Sequence, residues 1–265
     1  MATPWERTEQ GNRSARLRID LNADLGEHDS LPPAEEQILQ VVTSASIACG
    51  GHAGNRQVMQ DTARAAAAAG VTIGAHPSYP DRIGFGRRRV AMAPDVLATS
   101  LLDQIRSLVG AARSVGGEVR YVKPHGALYH DVSDDPDLAA ALVRSVVGCG
   151  VGAILVQGGS AVADAARAAG LAVSSEGFAD RAYVAGGRLA PRGASGAVLT
   201  DIDQVVAQAV SLATAGGVRG IDGTWVPCTA ASICVHGDTP GALGLAVAVR
   251  RALETAGVTL APFAP

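Results

Sequence analysis

Nearly every short apolar run in this chain ends on a residue that carries chemistry, and each run is followed by a helical pattern. The segments 17–21, 46–49, 71–75, 119–122, 152–156, 172–175 and 232–235 read as strands. Segments 33–42, 56–69, 94–115, 136–147, 161–169, 203–215 and 240–256 read as helices. Prolines stand at or near several of these helix starts, and Gly70 and Gly170 close two of the helices. Strands that alternate with helices through short glycine-bearing turns specify a parallel sheet. One long stretch, 177–200, follows neither period and reads as a loop.

The placement of the polar residues decides between an open sheet and a closed barrel. Asp20, Asn22 and Asp24, then His52, His76, Lys123 with His125, Glu176 with Asp180, and His236 with Asp238 all fall at or just past the end of an apolar run. In a parallel barrel those ends converge on one rim, where the active site is built. An open sheet binds ligands only at its switch point and has no use for polar residues from nearly every strand. The expected fold is therefore a (β/α) barrel.

Composition narrows the function. The sequence is 48% hydrophobic but only 3% aromatic, so the core must be built from Ala, Val, Leu and Ile. A net charge of −3 argues against a nucleic-acid surface and against a polybasic membrane contact. Cys49, Cys149, Cys228 and Cys234 show no CxxC spacing, which signals neither a zinc finger nor a redox motif and suits a reduced, cytosolic protein. Residues 1–16 are polar, carry both signs of charge and lack an apolar centre. They are expected to form a disordered N-terminal extension rather than a signal peptide, ahead of a barrel over 17–265.

Asp20, Asn22 and Asp24 alternate with apolar neighbours, so their side chains share one face of a strand. In a barrel that face points inward, and carboxylates there need a cation, a metal or a ligand. Lys123 is the nominated cation, with Asp20 and Asp24 both expected beside it at the rim. It is the only lysine in the chain, which suggests a place where a compact, titratable ammonium serves and a guanidinium does not. Pro124 and Gly126 around it read as a loop, so its loss is expected to cost activity and leave the fold intact.

A lone histidine is ordinarily a structural hydrogen-bonder; His52, His76, His125 and His236 at matching positions are a pattern. Two readings stay open: metal ligands with carboxylate partners, or general acid–base groups. No HExxH motif is present. Gly84-Phe85-Gly86-Arg87-Arg88-Arg89 is a basic loop suited to phosphate or carboxylate, and Gln157-Gly158-Gly159-Ser160 precedes a helix N-terminus. There is no GxxxxGK[ST] phosphate loop.

These motifs resemble, across nearly the whole length after residue 16, the family of 5-oxoprolinase A subunits, also called the LamB/YcsF family. The resemblance rests on Asp20-Leu21-Asn22 with Asp24-Leu25-Gly26-Glu27, Ala48-Cys49-Gly50 with His52-Ala53-Gly54, and Gly74-Ala75-His76-Pro77 with Tyr79-Pro80-Asp81. It continues through Gly84-Phe85-Gly86-Arg87-Arg88, Lys123-Pro124-His125-Gly126-Ala127-Leu128-Tyr129, Phe178-Ala179-Asp180-Arg181 with Tyr183, and Cys234-Val235-His236-Gly237-Asp238. It implies a seven-stranded (β/α) barrel related to the glycoside hydrolase and deacetylase barrels. It also implies a part in ATP-dependent opening of 5-oxoproline to glutamate, together with two partners, the B and C subunits of 5-oxoprolinase.

On this reading the catalytic set is Asp20, Asn22, Asp24, His52, His76, Lys123 and His125. The substrate- or phosphate-binding set is Glu27, Arg87, Tyr129, Glu176, Asp180, Arg181, His236 and Asp238. ATP is the expected cosubstrate, and a divalent metal stays open. The rival reading is a metal-dependent amidohydrolase or carbohydrate deacetylase acting without ATP, with Asp20, His52 and His76 as ligands.

Overall fold

Inward and outward faces both being covered, each apolar run becomes a buried parallel strand. The computed structural model describes residues 17–239 and 241–264. Its main strands are β1 (Arg18–Leu25), β2 (Ser44–Ala48), β3 (Thr72–His76), β4 (Val119–Val122), β5 (Ala153–Val156), β6 (Ala172–Phe178) and β7 (Ser232–His236). They pair in chain order, and β7 returns to β1 in the register Asp20↔Ser232, Asn22↔Cys234, Asp24↔His236. The result is a closed seven-stranded parallel barrel. A short strand, Thr259–Leu260, adds to the start of β1 on the outside.

A narrow barrel in a chain poor in aromatics is filled largely by small side chains, and one ring enters it from β4. Tyr121 on β4 crosses the interior to within 3.0 Å of the Ser46 hydroxyl. Gly74 on β3 makes this feasible, because a Cβ there would sit 2.2 Å from the Tyr121 ring. Phe263 packs on the same ring at 4.9 Å, so the chain's end closes the base of the barrel.

The surrounding helices are α1 (Pro33–Ile38), α2 (Arg56–Ala68), α3 (Pro94–Ser114), α4 (Gly126–Asp134), α5 (Pro136–Gly148), α6 (Ala161–Ala168), α7 (Ile202–Ala215) and α8 (Ala242–Thr255). Asn55, Asp135, Ser160 and Asp201 cap four of them through side-chain oxygens. Among the described residues no helix is long and apolar enough to cross a membrane. The expected extension at 1–16 lies outside the described residues.

Three local expectations change. The first strand runs on to Leu25, because its inward polar residues pair across the barrel instead of ending the ladder. Helix α4 forms directly after the lysine turn, where Leu128, Tyr129 and Val132 bury one side; the Pro-His-Gly punctuation had suggested only a loop. The stretch 177–200 carries a small antiparallel ribbon, Tyr183–Val184 with Arg188–Leu189, and a second ribbon joins Gly217–Arg219 to Trp225–Pro227.

Candidate active site

Alternation along β1 sends Asp20, Asn22 and Asp24 into the barrel at three depths. Asp20 lies at the floor, where its carboxylate accepts hydrogen bonds from Thr43 (2.5 Å), Ser44 (2.7 Å) and Ser232. Burial pushes its pKa up, against the pull of those three hydroxyls. Asp20 thus makes no ion pair with Lys123 and does not reach the rim, contrary to the expectation. Hydroxyls contributed by the start of β2 and β7, and not the ammonium, satisfy it.

Lys123 is buried in the barrel rather than displayed on a loop. Its Nζ donates to Asp24 Oδ1 at 2.7 Å, Asn22 Oδ1 at 3.2 Å and Cys234 Sγ at 3.2 Å, and stands 2.7 Å from Glu176 Oε1. Burial opposes the charge, but Asp24, Cys234 and Glu176 overcome it and hold the ammonium well above its ordinary pKa. Lys123 is therefore a fixed charge and not a titrating one. Asp24 shows the complement: burial would raise it, yet His76 and Lys123 hold it well below the usual carboxylate range. Asn22 bridges the pair by donating to Glu176 Oε1 and the Ser232 hydroxyl.

The histidines form a cluster whose protons can be counted. His76 Nδ1 faces the Lys123 carbonyl at 2.8 Å, and His125 Nε2 faces the Phe85 carbonyl at 2.9 Å. Carbonyls only accept, so both nitrogens must carry hydrogen. The remaining pair, His125 Nδ1 and His76 Nε2, lie 3.0 Å apart and need one hydrogen between them. Three protons on two rings make one positive charge. Burial and the neighbouring His52 and His76 drive the His125 pKa well down, and His76 Nε2 also lies 3.3 Å from Asp24 Oδ2. His52 stacks on His125 at 3.7 Å and meets Glu27 through Nε2 at 3.0 Å.

The loop carrying Phe85 packs onto this cluster through backbone. Phe85 adopts φ 54, which aims its carbonyl at His125, and Ala127 donates to the Gly86 carbonyl at 2.9 Å. A Cβ on Gly126 would lie 2.5 Å from that carbonyl oxygen, so only glycine allows the approach.

Above these groups opens a cavity of about 370 Å³. His236 lines it and gives Nδ1 to Asp180 Oδ1 at 2.8 Å, and its Nε2 has no hydrogen-bond partner among the described residues. Burial alone would lower the His236 pKa, but Asp180 raises it above its ordinary value; Asp180 itself is held low by His236 despite burial. Arg87 and Arg192 both engage Asp238, and Arg87 lies over the Phe85 ring. The Arg181 guanidinium donates to the carbonyls of Ala190 and Ala197 and has no carboxylate within ion-pair distance among the described residues. Burial and Arg192 lower its pKa. Tyr129 lines the same wall, edge-on to Phe178 at 5.6 Å, its phenol pushed well up by burial and by Glu176.

Of the predicted residues, Asp24, His76, Arg87, Lys123, His125, Tyr129, Arg181 and His236 line this cavity, while His52 stacks behind His125 and Asp20 lies below. Three contributors carried little sequence signal. Arg192 sits in the stretch without periodicity, Phe85 acts through its carbonyl, and Cys234 was visible only inside a motif.

The two donor clusters among the described residues do not suit a divalent metal. Asp24, Cys234 and His236 bring donors within 4.8 Å of one another, but the Lys123 ammonium already stands against the first two. Glu27, His52 and His125 also cluster, yet both His125 nitrogens are committed and its ring is parallel to His52. Parallel stacked rings cannot aim two lone pairs at one ion. Asp20, expected with His52 and His76, is held at the floor.

A closed (β/α) barrel with a hydrogen-bonded His236–Asp180 pair and clustered guanidiniums at its C-terminal mouth defines the class. The profile of the LamB/YcsF family matches residues 19–265, and the chain belongs to that family. It is 48% identical over 250 residues to the A subunit of 5-oxoprolinase from Nocardia farcinica, covering 93% of this chain and 100% of that one. Identity to the corresponding 5-oxoprolinase chain of Pyrococcus horikoshii is 42%, covering 93% and 98%. The crystal structure of a lactam utilization protein from Thermus thermophilus superposes with a TM-score of 0.86 at 38% identity, covering 93% of this chain and 100% of that one.

Proposed function

We propose that this chain is the ring-opening subunit of an ATP-dependent 5-oxoprolinase, acting in the cytoplasm with two partner subunits. The observation that carries the reading is the mouth itself. Three guanidiniums (Arg87, Arg181 and Arg192) have one carboxylate, Asp238, among them, beside the free Nε2 of His236. Such a surplus suits a dianionic phosphoryl group. The relatives named as the A subunit of 5-oxoprolinase support the lactam as substrate.

An unstrained lactam is a poor electrophile, and transfer of a phosphoryl group from ATP to its carbonyl oxygen activates the ring carbon. Water then adds to that carbon, with His236 Nε2 taking its proton and Asp180 stabilising the imidazolium. The tetrahedral species has two exits. Loss of phosphate merely regenerates the lactam; loss of nitrogen opens the ring. His236 returns its proton to the nitrogen, which breaks the C–N bond and leaves an acyl phosphate. A second water converts this to glutamate and inorganic phosphate. Arg87, Arg181 and Arg192 hold the phosphoryl charge throughout.

The test is a mixture of the three subunits with 5-oxoproline and ATP. Glutamate should form only when this chain is present, and His236→Asn in this chain should stop glutamate formation while still allowing a single release of ADP per site. Equal glutamate formation without this chain would overturn the assignment.

A further inference from the structure

The four atoms around Lys123 Nζ account for all of its bonding capacity. An ammonium has three N–H groups. One meets Asp24 Oδ1 at 2.7 Å, one meets Glu176 Oε1 at 2.7 Å, and the third is shared by Asn22 Oδ1 and Cys234 Sγ at 3.2 Å each. Nothing is left for a substrate. The side chain is 2% exposed, and the Phe178 ring lies 5.6 Å from the nitrogen.

We propose that Lys123 is the resident cation of this barrel, an ammonium in a cage built for a monovalent, hydrogen-bonding ion and not for a divalent metal. Size argues for it. Zinc sits about 2.0–2.2 Å from oxygen and about 2.3 Å from sulfur, whereas the cage atoms stand 2.7–3.2 Å from the nitrogen. Charge argues for it too. One ammonium lies 2.7 Å from both carboxylates, and the other Asp24 oxygen has His76 Nε2 at 3.3 Å. Geometry explains the single lysine, because a planar guanidinium cannot direct three donors from one point. The cage holds Asp24 ionised and keeps the Glu176 carboxylate against the ammonium, although burial raises the Glu176 pKa, and it fixes the electrostatic field beneath the mouth without any exchangeable ion. Lys123 acts on the reaction through its neighbours and is a positioning residue.

The test needs neither substrate nor partner subunits. Lys123→Ala removes three methylenes and the ammonium, the same atoms that n-propylammonium supplies. Full-length variant is melted in n-propylammonium chloride and in tetramethylammonium chloride, which lacks N–H, at equal ionic strength. The expected result is a transition higher by at least about 3 °C in the first salt, with no such difference in the wild type. Titration of both proteins with Co²⁺ should give no thiolate-to-metal absorption. No advantage of n-propylammonium, or a Co²⁺ band that disappears in Cys234→Ser, would overturn the proposal.

Should Lys123→Ala fail to fold in either salt, the wild type decides. A transition unchanged by chelator, with sub-stoichiometric metal in the protein, upholds the ammonium as resident cation. A stoichiometric metal whose removal lowers the transition refutes it.

Discussion

Two buried ion pairs lie close together in this barrel and differ in one respect. Around Lys123 every donor is spent; around His236 one nitrogen is left over. Asp24, Glu176, Asn22 and Cys234 saturate the ammonium, while Asp180 takes only Nδ1 of the imidazole and leaves Nε2 to the cavity. A saturated pair can set a field and hold a shape but cannot exchange a proton. An unsaturated one can. That difference separates what the mouth is built on from what works in it.

The sharpest break of that contrast is Lys123→Met. It should lower global stability by about 3–5 kcal/mol, because two carboxylates lose their common partner in a buried place. Adding Glu176→Gln and Asp24→Asn should recover most of the loss in urea titrations. A single variant as stable as the wild type would show that the cage is not structural. This reverses the sequence expectation that the fold would be indifferent to Lys123.

His236→Asn should leave the thermal transition nearly unchanged and cut turnover of the assembled enzyme by about two to four decades. A loss of less than tenfold would move the proton transfer elsewhere. The base must be neutral, so the rate should rise with pH through the raised pKa of His236, above its ordinary 6.5. Asp180→Asn withdraws the charge that raises it, and the acid limb of any residual activity should shift to lower pH. A limb that stays in place would separate Asp180 from His236.

Acid should expose a second difference between the histidines. His52 and His125 have folded pKa values below 6.5, the first by burial against the pull of Glu27, the second by burial with His52 and His76 beside it. The unfolded chain takes up protons there first, so stability should fall as pH drops from about 6.5 toward those folded values. His236 is opposite in sign: its contribution is full below about 6.5 and is lost as pH rises through its folded pKa. Urea midpoints between pH 7 and 5 check this, and His125→Gln should flatten the decline.

The smallest effect belongs to the floor. Asp20→Asn should cost about 1–2 kcal/mol through its three hydroxyl partners and leave the pH–rate profile in place. A turnover loss beyond tenfold would return Asp20 to the reaction.

Much of this mouth was legible because a closed parallel barrel sends strand C-termini to one end, so polar residues closing apolar runs had to meet. Asp24, His76, Lys123 and His236 were found that way. Depth was not legible. Asp20 and Asp24 look alike in sequence, and only the pairing of β1 with β2 and β7 puts hydroxyls around the first and an ammonium against the second. Saturation was hidden too, since Lys123 read as reactive until its partners were counted. Arg192 lies in a stretch with no period, and a backbone carbonyl such as that of Phe85 has no residue type to announce it.

The pairing of β1 with β7 also bears on how the molecule comes into being. Asp20 and Ser232, bonded across that seam, are 212 residues apart in sequence, whereas each of the other barrel pairs joins strands that are consecutive along the chain. Closing so large a loop is entropically the slow event, although its cost grows only logarithmically with length. During synthesis β7 is the last barrel strand to emerge, so Asp24 and Lys123 are both made well before Cys234 and His236. The half-built barrel has the Asp24–Lys123 pair but not the His236–Asp180 pair, which is completed only when the final strand docks.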